Sequence, residues 1–125
     1  MGRDTLKHVL SQQVQMLERD FASLVRSSPT WNELQTRSLE IISVTLRRLA
    51  ITIASLPDPE SLSIDMRNEL RNQITVVMGY AQLMMHRRAG ELSLESTTYL
   101  QKMMTIVMQI NSSLDRDKKK KARNG

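Results

Sequence analysis

The sequence predicts an all-α protein in which two antiparallel helical hairpins form a four-helix bundle. Three observations predict it. Apolar residues return at three- and four-residue steps along nearly all of the 125 residues, the mark of amphipathic helices. Proline and glycine interrupt that pattern at three places, which divides the chain into four segments. The interruptions are short, so sequence neighbours pack antiparallel.

The first helix is expected from about Asp4 to Arg26, with Leu6, Leu10, Val14, Leu17, Phe21 and Leu24 on one stripe. Ser27-Ser28-Pro29 ends it, and Pro29 suits the approach to a second helix. Trp31 opens that helix as an apolar cap on the bundle end. The helix runs to about Ser55 and carries Leu39, Ile42, Leu46, Leu49, Ile53 and Leu56 in 3-4 alternation, a seam suited to coiled-coil-like packing. Leu56-Pro57-Asp58-Pro59-Glu60-Ser61 reads as the linker, because neither proline can continue a helix. A third helix follows from about Ser61 to Arg88, with Met66, Leu70, Ile74, Val77, Ala81 and Met84 inward. Ala89-Gly90-Glu91 makes the turn, with Gly90 as a left-handed cap. The fourth helix, about Ser93 to Leu114, places Leu100, Met103, Val107, Ile110 and Leu114 on its seam. Residues 1–56 thus form an N-terminal hairpin, 61–114 a second hairpin, and 115–125 a basic disordered tail.

Charge supports that division. The net charge is +5 overall, yet residues 115–125 alone carry +4 through Arg116, Lys118 to Lys121 and Arg123 against Asp115 and Asp117. The body is nearly neutral. Cysteine is absent, which excludes disulfides and thiolate metal sites. No apolar run approaches the ~20 residues of a membrane span, and the first residues lack a signal-peptide core. A cytoplasmic location is the expectation. The four glycines are too scattered to cradle a nucleotide, so neither kinase activity nor a cofactor is expected.

The stretch Met66 to Met84 reads M-R-N-E-L-R-N-Q-I-T-V-V-M-G-Y-A-Q-L-M. It resembles the phosphoacceptor helix of two-component sensor histidine kinases, H-E-L-R-[NT]-P-L-T-x-I-x-G-Y-A-E-L. Glu69, Leu70, Arg71, Asn72, Thr75, Gly79, Tyr80, Ala81 and Leu83 fall on the family positions. Asn68 stands in place of the phosphorylated histidine, and Gln73 replaces the usual proline. An amide has no nucleophilic ring nitrogen, so autophosphorylation at this position is excluded. The segment Tyr99 to Asp115 is similar to the second helix of the same kinase dimerisation hairpin. The resemblance covers residues 61–114 only.

What the resemblance implies is a non-kinase regulatory module of two-component signalling. It would dock a response-regulator receiver or a sensor kinase and modulate phosphotransfer. Arg67, Asn68, Glu69, Arg71 and Asn72 are the candidate docking residues. Glu69 and Asn72 lie one helical turn apart on one face. In histidine kinases and some chemotaxis phosphatases a similar pair orients water at a receiver aspartyl-phosphate. Phosphatase activity through Glu69 and Asn72 is therefore the enzymatic alternative, and an ordinary solvated helix face is the bland one. A third reading is an oligomeric adaptor that recruits an anionic partner through Lys118 to Lys121. Nucleic acid is a weaker expectation, because the tail carries no aromatic residue.

Other features divide between structural and functional readings. Gly79, mid-helix, is read as permitting close packing or a bend. The second and third helices are apolar on two faces, with Val44, Ile51, Val76, Met78 and Tyr80 off the seam. A homodimer through residues 61–114 is the expectation and would cover that surplus; an intramolecular bundle with the first hairpin in the second subunit's place is the plainer alternative. The methionines of the second hairpin, Met78, Met84, Met85, Met103, Met104 and Met108, read as core filling first and adaptable partner contacts second. A faint repeat sets His8 over Asn68 and Gln13 over Gln73. It makes His8 a candidate replacement phosphoacceptor, but Val9 stands where the family places an acid beside the histidine, and a surface histidine is the leading reading. His86 suits the end of its helix. Two histidines without cysteine give no expected metal site.

Overall fold

The computed structural model describes residues 5–56, 62–86 and 89–124, with side chains to Arg116. Four helices make up the fold: α1 (Leu6–Arg26), α2 (Glu33–Ala54), α3 (Ile64–Met85) and α4 (Leu94–Asn124). Each start has a side-chain cap. Thr5 accepts from the His8 N–H and Ser63 from the Met66 N–H. Asn32 forms a reciprocal capping box with Gln35, and the Ser93 hydroxyl accepts from the Ser96 N–H. These bonds satisfy backbone donors that have no partner within their own helix. The proposed starts at Asp4 and Ser61, and most of the proline linker, lie outside the described residues.

The helices close into a single bundle whose edges are α1–α2, α2–α3, α3–α4 and α4–α1. The most extensive packing joins α1 to α4 and α2 to α3. The first hairpin therefore covers the second within one chain. The core contains the expected seams: Leu10, Val14, Leu17 and Leu24 from α1, and Ile42, Leu46, Leu49 and Ile53 from α2. Leu70, Ile74, Val77 and Met84 come from α3, and Leu100, Met103, Ile110 and Leu114 from α4. Burying an aliphatic side chain of this size stabilises by ~1.5–3 kcal/mol, so the seams are the main source of stability.

Polar bonds fix the ends and the stagger. At one end, the Asn32 amide donates to the Ala89 carbonyl at 2.7 Å and the Gln35 amide to the Glu91 carbonyl at 3.2 Å. Ser27 and Ser96 hydroxyls meet there at 2.6 Å. At the other end, Lys7 Nζ donates to the Leu56 carbonyl at 2.9 Å. Trp31 packs partly buried against the core and donates its indole N–H to the Val25 carbonyl.

Several sequence expectations change. Gly90 has φ +115°, but it is not the cap of α3, which ends at His86 in an extended conformation. It sits in the following loop instead, where an added Cβ would collide with the Asn32 side chain and crowd Gln35. Gly79 does not serve close packing, because an added Cβ would meet nothing within 4 Å. The backbone of residues 115–124 continues α4 rather than forming a disordered tail. Lysine, alanine and arginine favour helix, and no glycine or proline intervenes before Gly125. The side chains of Lys118 to Lys121 lie outside the described residues. The methionines divide: Met84 and Met103 are buried, while Met108 is exposed.

Candidate functional site

The candidate residues surround α3 rather than sharing one side of it. Successive helical residues turn by ~100°, so five neighbours cannot all face one way. Asn68, Glu69 and Asn72 are exposed. Glu69 and Asn72 have no hydrogen-bond or ion-pair partner among the described residues. Arg71 turns to the opposite flank and pairs with Asp115 of α4. Arg67 is only 6 % exposed, so it does not join the surface expected of it. Arg67, Leu70, Ile74, Val77, Ala81 and Met84 form one unbroken 3-4 series of buried positions. The guanidinium takes the place on the seam that the sequence reading gave to Met66, which is half-buried.

Glu69 and Asn72 line an open groove of about 640 Å³ between α3 and α2. Its other α3 residues are Gln73 and Val76, and α2 contributes Glu40, Ile41, Val44, Thr45 and Arg48. Val44 is 45 % exposed and Val76 38 %, so aliphatic carbon faces solvent between the polar lips. Ile51 extends the strip along α2 at 60 % exposure. Gln73 anchors the groove wall by donating its side-chain amide to the Thr52 hydroxyl at 3.1 Å. Thr45 is buried and returns its hydroxyl to the Ile41 carbonyl. The groove thus offers an aliphatic strip, a carboxylate and a carboxamide on one lip, and a carboxylate and a guanidinium, Glu40 and Arg48, on the other.

Sequence reasoning found the α3 lip and missed the α2 wall. The available signal was the pair Val44 and Ile51, two aliphatics off the seam by seven residues. Nothing in linear sequence placed them beside Glu69 and Asn72, because that depends on which helix packs against α3. His8 is exposed near the start of α1, on the helix diagonally opposite α3. It is not part of the groove.

A second depression lies at Met85, Gly90, Glu91, Leu92 and Thr97, and Glu91 is the one carboxylate among its described lining residues. Among the described residues there is no group of three His, Cys, Asp or Glu side chains placed to hold a metal ion. Among the same residues no helix is long and apolar enough to cross a membrane. No protein-family model matches the chain, and neither a curated protein nor a solved structure does.

Proposed function

We propose that this protein is a non-kinase regulatory module of two-component signalling that docks a receiver domain in the α2–α3 groove and so modulates phosphotransfer. The observation that carries the reading is the juxtaposition of Glu69 and Asn72 with exposed Val44 and Val76. An aliphatic strip flanked by two carboxylates, an amide and a guanidinium is a surface an amphipathic helix fits. Apolar contact gives affinity there, while Glu69 and Arg48 set orientation through charge. With Asn68 in the histidine position, the module has no phosphoryl group of its own to pass on at that site. It acts by occupying the receiver surface that a kinase would use. A sensor kinase with a matching helix is the other partner of this class.

The phosphatase alternative has one observation in its favour. Glu69 and Asn72 are exposed side by side and uncommitted to other groups among the described residues. Hydrolysis of an aspartyl-phosphate requires a water aligned with the phosphorus. Attack forms a P–O bond to that water and breaks the bond to the aspartate oxygen, releasing phosphate and a free carboxylate. Asn72 would hold the water, and Glu69 would engage a receiver cation. Such a step needs mainly positioning.

Receivers from the same cell, phosphorylated and mixed with the purified protein, separate the readings. Docking predicts a saturable complex with unchanged acyl-phosphate lifetime. Phosphatase action predicts faster decay that Asn72→Ala removes. Neither binding nor decay with any receiver contradicts both.

A further inference from the structure

The repeat that sets Gln13 over Gln73 has a three-dimensional counterpart. At the same spacing of sixty positions, Leu10, Val14 and Leu17 of α1 correspond to Leu70, Ile74 and Val77 of α3, and all six are buried. At sixty-one positions, Gln35, Ile42 and Leu49 of α2 correspond to Ser96, Met103 and Ile110 of α4, again all buried. The packing follows the same exchange. Swapping α1 with α3 and α2 with α4 maps the α1–α4 face onto the α2–α3 face, and these are the two most extensive faces of the bundle.

A specific polar contact is duplicated too. Gln73 of α3 donates to the Thr52 hydroxyl of α2 at 3.1 Å. Gln13 of α1 donates to the Ser113 hydroxyl of α4, also at 3.1 Å. Thr52 and Ser113 are themselves counterparts at the α2–α4 spacing. Amphipathic periodicity aligns apolar stripes at many offsets. It does not supply an amide-to-hydroxyl bond at equivalent places on two faces.

The two faces differ on their outer sides. Leu34, Ile41, Val44 and Ile51 run along the exposed side of α2. Their counterparts on α4 are Glu95, Lys102, Thr105 and Ser112, all polar and all exposed. On the facing helix, Glu69 and Asn72 correspond to Val9 and Gln12, so the carboxylate is missing from the second face. Val76 corresponds to Met16, the one apolar position that both retain. The second face is an internal reference: the same packing beneath, with the exposed side chains of Met16 and Met108 in place of a continuous aliphatic strip.

We infer that the chain is a single-chain pseudo-dimer with one working face, the α2–α3 groove, which takes one apolar-sided helix of one partner molecule per chain. The first hairpin holds the place of a second subunit and covers the second hairpin's core. The strip from Leu34 to Ile51 spans ~26 Å at the helical rise, the length of about five turns of a docked helix. Glu69 on one lip, and Glu40 and Arg48 about two turns apart on the other, call for a helix with basic side chains toward the two carboxylates and an acidic one toward Arg48. The inference rests on the reading of this groove as a docking surface, but not on the partner's being a receiver.

Two measurements on the full chain test it. Light scattering during size exclusion, over a hundredfold concentration range, should return the monomer mass of 14.4 kDa throughout. A stable dimer would overturn the inference, because a second copy would then cover the strip. Binding of the apolar dye anilinonaphthalene sulfonate should titrate to one strong site. Val44→Asp and Ile51→Lys should each weaken it about tenfold, the equivalent of one aliphatic contact. Thr105→Asp, at the counterpart position, should leave it unchanged. Both Val44 and Thr105 are exposed, so the variants keep the fold, which helical circular dichroism checks. Equal weakening by Val44→Asp and Thr105→Asp, or by neither, would overturn the one-sided assignment. If the dye behaves as expected and no receiver binds, the one-sided surface stands and the receiver reading fails.

Discussion

Gln73 reaches from α3 to Thr52 of α2 and donates a hydrogen bond at 3.1 Å across the wall of the candidate groove. It does so from the position where the resembling kinase helix carries proline. A proline there would remove a backbone donor within the interior of the helix Ile64–Met85 and crowd the turn before it. The glutamine instead keeps the helix continuous and ties it to its neighbour.

The bond should be measurable as a coupling. A double-mutant cycle with Gln73→Ala and Thr52→Ala is expected to give about 1 kcal/mol of interaction in urea unfolding. Gln73→Pro should cost ~3 kcal/mol or more. A cycle energy near zero would mean the contact does not hold the groove wall.

The two interior glycines should respond in opposite directions. Gly79→Ala introduces a Cβ into open space on an exposed helical surface, so unfolding should become harder by ~0.5–1 kcal/mol. Gly90→Ala forces a side chain onto φ +115° and against Asn32, and should destabilise by more than ~1 kcal/mol. Thermal midpoints of the two variants check this; a loss in Gly79→Ala would restore a packing role for that residue.

Core and surface substitutions should separate cleanly on α3. Leu70→Ala is expected to cost ~2–5 kcal/mol, since Leu70 is 1 % exposed within the seam. Arg71→Ala removes only a partly solvated pair with Asp115 and should cost ~0.2–1 kcal/mol. Chemical denaturation resolves the difference, and comparable losses would show that the Arg71–Asp115 pair carries more of the α3–α4 contact than its exposure implies.

Much of this architecture was legible because a seam is a local property. The series Leu39, Ile42, Leu46, Leu49, Ile53 and Leu56 declares its inward side by spacing alone, and all six are buried. Which helix each seam meets is not local. Hence the facing of α2 toward α3, and with it the groove, needed the fold. Arg67 was misplaced because its charge argued for the surface while its spacing from Leu70 and Ile74 argued for the seam. Spacing prevailed: the guanidinium lies among the packed side chains at the start of α3. Gly79 is different: the resemblance to the kinase helix implies a packing role, whereas a Cβ built there meets nothing within 4 Å among the described residues.

Asn72→Ala distinguishes the two roles proposed for the groove. Under the docking account the substitution leaves the lifetime of a receiver acyl-phosphate unchanged and weakens the complex by about tenfold at most, because the aliphatic strip remains. Quenched-reaction assays of the phosphorylated receiver, with and without the variant, check it. Rapid hydrolysis by the parent protein that the variant abolishes would transfer the protein to the phosphatases.

The most direct test is a calorimetric titration of each beryllofluoride-activated receiver from the same cell into the purified protein, repeated with Val44→Asp and with Thr105→Asp. The account predicts a one-to-one complex with at least one receiver, lost in Val44→Asp and retained in Thr105→Asp. Binding by no receiver, or binding that Val44→Asp leaves intact, would contradict it.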